Sequence, residues 1–185
     1  MSDSQKERML RGELYDPLDP QLCAERRQAR LLFQALNCTT ENQEQERKRL
    51  LKELIPAAGT NLWIELPFYC DYGSNITLGD RVYFNFNCVI LDVAPVTIGS
   101  DTMLGPGVHI YTVAHPVAIA ERRSNLEFGK PVTIGNEVWI GGGAIICPGV
   151  RIGDRSVIGA GSVVVKDIPA DVVAVGNPCR VIRSL

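Results

Sequence analysis

The sequence predicts a mainly β protein, built as a parallel β-helix with a small helical segment before it. Over residues 132–165 an aliphatic residue recurs at every sixth position. Neither an α-helix nor a plain strand has a period of six, whereas one short strand and a corner together occupy six residues. Residues 1–58 lack this repeat, are charged and are poor in glycine. The recurring aliphatic residues are Ile134, Ile140, Ile146, Ile152, Ile158 and Val164.

The phase of the repeat predicts which side chains face the interior. A second small or branched residue follows four positions after each of the first five leading aliphatics, so we expect three units to close one triangular coil with aliphatic ladders inside. Glycine follows the leading aliphatic in four units, either for freedom in φ or for close backbone approach. The same phase assigns Leu66 and Tyr72 to a first coil, Leu78, Phe84 and Ile90 to a second, and Ile98, Leu104 and Ile110 to a third.

Two irregularities interrupt the repeat. Two extra residues between Ile90 and Ile98 predict a bulged corner at 94–95. Residues 112–131 keep a spacing that is a multiple of six but lose the inward aliphatics, which predicts a loop that leaves the coil and returns in register. Long excursions from a repeat scaffold usually carry function, and this one contains His115.

The first 58 residues contain two helical patterns. One covers Pro20–Asn37, with Asp19 as its cap and proline at its first position. The other covers Thr40–Leu54, where Thr40 and Gln43 resemble a capping box. The terminal coil of a solenoid exposes its ladders and needs a cap. We therefore expect a helical subdomain over 1–58 that covers the open end of a β-helix domain over 59–185, with the segment GELYDPLDP able to reach a binding site.

Composition narrows the class of protein. A net charge of −2 and the lack of a basic run argue against a nucleic-acid binder. The polar N-terminus does not resemble a signal peptide, and no apolar run has the length of a membrane span. Six cysteines form no CxxC pair, so we expect free thiols, no metal site and a cytoplasmic protein without membrane or nucleic-acid partners.

Two histidines are the candidate acid–base residues. His115 precedes Pro116, and a proline restricts the preceding residue to extended geometry, which fixes the direction of the imidazole. A neutral imidazole is the usual general base for deprotonating a hydroxyl. His109 alternates with inward Val108 and is equally consistent with a surface or interface residue.

Polar residues at coil corners have two interpretations. Asn85 and Asn87 are either left-handed turn residues or amides that face a ligand. Asp71 and Asp92 are either turn residues or acceptors of hydrogen bonds from sugar hydroxyls. Trp139, outward from Val138, packs either on another subunit or on a ligand.

These segments together resemble the hexapeptide-repeat sugar O-acetyltransferases, specifically the maltose and galactoside acetyltransferases. The resemblance covers nearly the whole chain, and the order of the motifs is more specific than the repeat alone. The motifs are GELYD with the helices after it, CDYGSNI (70–76), YFNFNCVILD (83–92), GPGVHIYTVAHP (105–116), GKPVTIGNEVWIGGGAIICPGVRIGD (129–154) and GNPCRVIR (176–183).

The resemblance implies a homotrimer of left-handed β-helices with active sites between subunits, acetyl-CoA as cosubstrate and a sugar as acceptor. It makes His115 the general base and gives Asn85 the task of holding the acceptor and stabilising the transition state. The residues implied in acceptor binding are Asp16, Asp71, Tyr83, Asn85 and Asp92, although the family's aspartate in the first segment aligns without gaps nearest Pro17. The residues implied in CoA binding are Trp139, Gly142, Ala160, Val165, Lys166, Arg180 and Arg183.

The chemistry of these residue types agrees with that assignment. Basic side chains suit the phosphates of CoA, and small residues let a thin pantetheine arm approach the backbone. The Gly142 N–H is a candidate donor to the oxyanion, and donors of this kind contribute roughly 3 kcal/mol. The sequence offers no nucleophile for an acyl-enzyme, which favours direct transfer in a ternary complex.

Within this family, Val93 favours glucose or maltose, acetylated at a primary hydroxyl, over galactosides. Galactoside acetyltransferases carry a second acidic residue at this position, and valine cannot accept a hydrogen bond. The alternatives are a galactoside or other small-hydroxyl acetyltransferase and a non-catalytic trimeric scaffold. A zinc enzyme of the γ-carbonic-anhydrase type needs three histidine ligands, and a serine acetyltransferase has a long helical N-terminal domain. The sequence does not match either pattern.

Overall fold

The computed structural model describes residues 3–185, in which short parallel strands form three flat faces of a triangular solenoid of about six coils. Each coil contributes one strand to each face in turn. The first face contains Ala57–Ala58, Ile76–Leu78, Val96–Ile98, Val132–Ile134 and Arg151–Ile152. The second contains Trp63–Ile64, Tyr83–Phe84, Met103–Leu104, Trp139–Ile140, Val157–Ile158, Val172–Val175 and the antiparallel Arg180–Ser184. The third contains Phe68–Cys70, Cys88–Leu91, His109–Tyr111, Ile145–Ile146 and Val163–Val164.

The strand register confirms the inward phase of the repeat. Ile134 pairs with Ile98 below it and with Ile152 above it, and all three side chains are buried. The glycines after the leading aliphatics serve close approach: a Cβ added to Gly141 would lie 2.5 Å from the backbone nitrogen of Ala160. Backbone atoms of adjacent coils therefore stack at the corner with no room for a side chain.

The excursion loop also returns in register, as expected. Val113–Ala114 and Phe128–Gly129 form an antiparallel hairpin that leads away from the solenoid, and a short helix, Ile119–Arg122, lies between them. The chain rejoins the first face where Val132 pairs with Val96.

The phase expected for the first coil was wrong. Its inward residues are Ile64, which pairs with Phe84, and Cys70, which pairs with Ile90, instead of Leu66 and Tyr72. The step from Cys70 to Leu78 is eight residues, as is the step from Ile90 to Ile98. Two consecutive coils thus share a wide corner here, and counting upstream in steps of six shifts the register by two residues.

The helical segment closes the open end of the solenoid. Helix Pro20–Asn37 begins and ends as expected, with the Asp19 carboxylate accepting the N–H groups of Gln21 and Leu22. Ala29, Leu36, Leu50 and Leu54 share one hydrophobic core with the coils. The helices are Gln5–Leu10, Pro20–Asn37 and Glu44–Leu54, followed by the loop helix Ile119–Arg122.

Two helix boundaries differ from expectation. The third helix begins at Glu44, because the Gln43 side chain accepts hydrogen bonds from the Thr40 N–H and hydroxyl and closes a turn before the helix starts. The first helix, Gln5–Leu10, was not expected, although Ser4 and Glu7 form a full capping box. Residues 1 and 2 of the expected subdomain lie outside the described residues, and the division at residue 58 stays a prediction. Across residues 3–185, no helix combines the length and apolar character needed to cross a bilayer.

Candidate active site

Each coil turns three corners, and their chemistry differs. The first corner, between the first and second faces, carries charged side chains such as Arg81 and Asp101, which form a bidentate pair at 2.6 and 2.7 Å. The second corner, between the second and third faces, is rich in glycine. The third corner, where one coil leads to the next, carries Asp71, Asp92 and the excursion loop. The polar candidates therefore lie on the second and third corners.

A cavity of about 280 Å³ opens at the third corner. The helical segment, the third face and the excursion loop meet there, and the cavity contains both charged and apolar side chains. It is lined by Pro17, Arg26, Arg30, Asp71, Leu91, Val93, Val113, His115 and Glu127. Two predicted site residues, Asp71 and His115, are thus brought together.

His115 is held near a carboxylate. It follows the outgoing strand of the hairpin, its side chain is 55% exposed, and its Nε2 lies 3.9 Å from Glu127 Oε2. The other oxygen of Glu127 accepts a hydrogen bond from the hydroxyl of Tyr15, which is fully buried. Backbone bonds of 3.0 and 3.2 Å join Tyr15 and Glu127 in both directions. Burial and the hydrogen bond to Glu127 raise the pKa of Tyr15, so its phenol stays a donor.

Arg26 organises the opposite side of the cavity. Its guanidinium donates a 2.6 Å hydrogen bond to the Tyr72 hydroxyl and another to the carbonyl of Pro17. The chain at Pro17 is thereby fixed against the cavity. Asp16, the expected acceptor-binding residue, is exposed, and its carboxylate accepts the Leu18 N–H. Pro17 rather than Asp16 lines the cavity, and the acceptor contact of Asp16 stays a prediction.

The two corner aspartates have different roles. Asp71 faces the cavity, and burial together with the nearby Glu127 carboxylate raises its pKa, while Arg26 and Arg30 oppose that rise. Asp92 is fully buried, with Oδ1 accepting the backbone N–H groups of Asp71 and Tyr72 at 2.9 Å each. A side chain with no exposed surface cannot bind a sugar hydroxyl, so the expectation of a direct contact from Asp92 is corrected.

Burial raises the pKa of Asp92 to about 6, and its Oδ2 has no hydrogen-bond partner within the described residues. The folded state therefore binds this proton more tightly than the unfolded state, and the contribution of Asp92 to stability falls as pH rises toward its folded pKa. Asp92→Asn cannot ionise at this position. We therefore expect its free energy of unfolding, relative to that of the wild type, to be about 1 kcal/mol higher at pH 8 than at pH 5. Denaturant unfolding of both proteins at the two pH values measures this difference, and a constant difference would contradict it.

The second corner brings Asn85, Gly142 and Ala160 into one stack. Backbone hydrogen bonds link successive coils there: the Asn85 N–H donates to Leu104, and the Gly161 N–H donates to Gly142. The amide of Asn85 accepts the Phe86 N–H at 2.8 Å, whereas the left-handed residue of this turn is Asn87, with φ of 61°. Side chains added to Gly107, Gly143 or Gly161 would meet only open space. Backbone is therefore exposed at these three positions of the corner, and no side chain there would hinder a narrow ligand.

The second face carries an exposed apolar ladder on its outer side. Trp139 pairs between Met103 and Val157, and its side chain is 54% exposed. Tyr83 lies on the same side and pairs with Trp63. The outer side of the first face instead carries threonines, with Thr97 between Thr77 and Thr133. The outer side of the second face is thus more apolar than that of the first.

The basic candidates lie in two separate places, one at a corner and the other on a strand. Lys166, exposed with Val165, follows the last strand of the third face and belongs to the third corner. Arg180 and Arg183 are exposed on the antiparallel strand at the edge of the second face, beyond the second corner. Arg26, Arg30 and Glu127 were not predicted as site residues. The two arginines are four residues apart on one helix, and this spacing is a weak sequence indication that they share one face. No sequence pattern indicates that Glu127 lies near His115, because only the fold brings them together.

The chain matches the family described as the maltose acetyltransferase hexapeptide capping motif over residues 8–59, and the bacterial transferase hexapeptide repeat over 131–166. It is 44% identical to the galactoside O-acetyltransferase of Escherichia coli over 179 residues, which cover 97% of this chain and 88% of that protein. The chain belongs to the maltose and galactoside O-acetyltransferase family. Acetyl-CoA-dependent transfer to a sugar hydroxyl is the activity of that family.

Solved structures of family members confirm the left-handed β-helix. A maltose O-acetyltransferase from Clostridium difficile superposes with a TM-score of 0.98 at 46% identity, covering 100% of this chain and 99% of that one. A galactoside acetyltransferase in complex with coenzyme A gives a TM-score of 0.95 at 43% identity, covering 99% and 92%. The glycine-rich corner and the His115 cavity therefore belong to an acetyltransferase scaffold.

Proposed function

We propose that this protein transfers the acetyl group of acetyl-CoA to the primary hydroxyl of glucose or maltose in a ternary complex. The observation that carries the proposal is the third-corner cavity, where one imidazole faces a carboxylate-lined space large enough for a sugar ring. Asp71 and Glu127 supply acceptors for sugar hydroxyls, Arg30 supplies donors, and Val93 with Leu91 supplies an apolar surface.

His115 acts as the general base. Its imidazole takes the proton of the acceptor hydroxyl, and the oxygen attacks the thioester carbonyl. The same imidazole then returns the proton to the departing sulfur, so one residue acts first as general base and then as general acid. Glu127 favours the protonated imidazole that forms in between, because its carboxylate lies 3.9 Å away and Tyr15 holds its other oxygen.

The second corner is the proposed binding site of acetyl-CoA, which supplies the activated acetyl group. Gly142 and Ala160 let the backbone approach the pantetheine arm, and Trp139 offers an aromatic surface beside it. The Gly142 N–H has no acceptor within residues 3–185 and is free to face the oxyanion. Lys166, Arg180 and Arg183 are exposed and suited to its phosphates.

A complete site then needs two copies of the chain. His115 belongs to the third corner, whereas Asn85, Gly142 and Ala160 belong to the second, at the other end of the third face. The exposed apolar ladder around Trp139 gives the neighbouring copy a surface to cover. We therefore infer a homotrimer with each site at a junction between copies, closed by threefold symmetry.

Subunit mixing tests this arrangement. We expect Asn85→Ala and His115→Ala, each inactive alone, to regain about a quarter of wild-type activity when co-expressed in equal amounts, because random trimers place both intact residues at a quarter of the junctions. Two affinity tags allow purification of the mixed trimers. Activity no higher than that of the parent proteins would place both residues in one chain's own site, and an active monomer in sedimentation would also contradict the trimer.

The activity itself is tested with acetyl-CoA, a sugar and a reagent that detects the free thiol of the released CoA. We expect CoA release with glucose or maltose, equal rates after treatment with a chelator, and 6-O-acetyl sugar as product. A protein that forms the trimer but releases no CoA with any hydroxyl acceptor would favour the scaffold alternative.

A further inference from the structure

The end of the strand Cys88–Leu91 separates two kinds of side chain. Leu91 and Val93 line the cavity, whereas Asp92 between them points into the protein and has no exposed surface. Neighbouring side chains at a strand end alternate in direction, so the residue between two cavity residues lies behind the cavity. Asp92 is therefore a buried carboxylate directly behind the cavity wall.

Asp92 is bonded to the segment that forms the cavity floor. Its Oδ1 accepts the N–H groups of both Asp71 and Tyr72 at 2.9 Å, and its carbonyl accepts the Asn75 side-chain amide at 2.7 Å. Tyr72 in turn holds Arg26 by the 2.6 Å hydrogen bond from the guanidinium to its hydroxyl. One carboxylate oxygen therefore fixes the backbone that carries Asp71 and the aromatic side chain that orients Arg26.

Building on the proposed function, we propose that Asp92 is a positioning residue for the acceptor, which acts by fixing Asp71 and, through Tyr72, Arg26. The required group is the oxygen that accepts two N–H groups. An amide oxygen in the same place meets the requirement, whereas an aliphatic side chain leaves two buried N–H groups without partners. The carboxylate itself does not touch the sugar. Burial, which raises the pKa of Asp92, agrees with a group whose role does not need its charge.

The variants Asp92→Ala and Asp92→Asn test this role on any of three acceptors, glucose, maltose or isopropyl thiogalactoside, whichever the wild type acetylates. We expect Asp92→Ala to raise the KM for the acceptor about 10- to 100-fold and to leave the KM for acetyl-CoA unchanged. Asp92→Asn should stay within about threefold of the wild type. In an Asp71→Ala background, Asp92→Ala should raise the acceptor KM by less than in the wild type, because one of the two groups it positions is already absent.

Asp154→Ala is the matched control. The Asp154 carboxylate also links two coils, because it accepts the Asn136 backbone N–H at 2.7 Å. It accepts one backbone N–H instead of two, is only partly buried, and lies on the first corner, away from the cavity. A loss of general stability would raise the acceptor KM in this variant too. Equal effects of Asp154→Ala and Asp92→Ala, or of Asp92→Asn and Asp92→Ala, would overturn the proposal, as would an unchanged KM in Asp92→Ala.

Amide hydrogen exchange separates this proposal from the proposed function. We expect the N–H groups of Asp71 and Tyr72 to lose protection in Asp92→Ala and to keep it in Asp92→Asn, whatever the acceptor. Inactivity of the wild type toward all three sugars would count against the proposed function and leave this measurement intact. Protection that is unchanged in Asp92→Ala would overturn the positioning role.

Discussion

Replacement of His115 by alanine is expected to lower kcat for acetyl transfer by about 10²- to 10⁴-fold, the contribution typical of a general base. The acceptor hydroxyl has a pKa far above 7, so without a base it attacks the thioester only slowly. His115 is the imidazole that lines the cavity, and Glu127 stands 3.9 Å from its Nε2. Stopped assays at saturating acetyl-CoA and sugar measure the change directly.

The binding of CoA and the assembly of the protein are the controls for this variant. The His115 side chain is 55% exposed, so its removal should leave the thermal midpoint and the Kd for CoA unchanged. His109→Ala is a matched substitution, since that ring bonds Tyr111 at 2.6 Å on the outer side of the third face. A His115→Ala protein with near-wild-type kcat, or a His109→Ala protein with the larger loss, would show that the base lies elsewhere.

The periodic part of the fold was predictable because the same constraint recurs in every coil. The same inward position must be aliphatic in each coil, as at Ile134 and Ile152, so the register can be determined from many positions even when one of them is irregular. The predicted register of the first coil was wrong because the corner after it is two residues longer, and a six-residue count carries no information on corner length. The helix at Pro20 was predictable from local chemistry alone, namely an aspartate cap and a proline at the first position.

The site was predictable only in part, because it depends on contacts between distant segments. His115 is marked by its loop and by the proline after it. Glu127 and Tyr15, 112 positions apart, meet through a hydrogen bond that no local pattern encodes. Asp92 was misassigned because a sequence shows that a carboxylate stands at a corner, but not whether it points outward or inward. Because the Asp92 side chain points inward, it holds the backbone of the cavity instead of contacting a sugar.

Val93 provides the test of acceptor choice. We expect the wild type to use glucose or maltose better than isopropyl thiogalactoside, and Val93→Asp to shift the ratio of kcat/KM toward the thiogalactoside by about 5- to 150-fold. Val93 lines the cavity, is 3% exposed and packs with Tyr15 and Tyr72. A hydroxyl directed at this side chain therefore finds no acceptor, whereas a carboxylate there gives it one.

The new carboxylate would also lie near Asp71 and Glu127, so some loss of activity with every acceptor is expected, and only the ratio between acceptors is diagnostic. Val93→Ala removes the same packing without adding an acceptor and should lower both kcat/KM values in parallel. For each of the three proteins, kcat/KM is measured with glucose, maltose and isopropyl thiogalactoside at saturating acetyl-CoA, and the values for glucose and maltose are divided by that for the thiogalactoside. A wild type that prefers the thiogalactoside, or a Val93→Asp ratio equal to that of Val93→Ala, would show that acceptor choice is set at another position. In that case Arg30, which lines the cavity from the helical segment, is the next residue to vary.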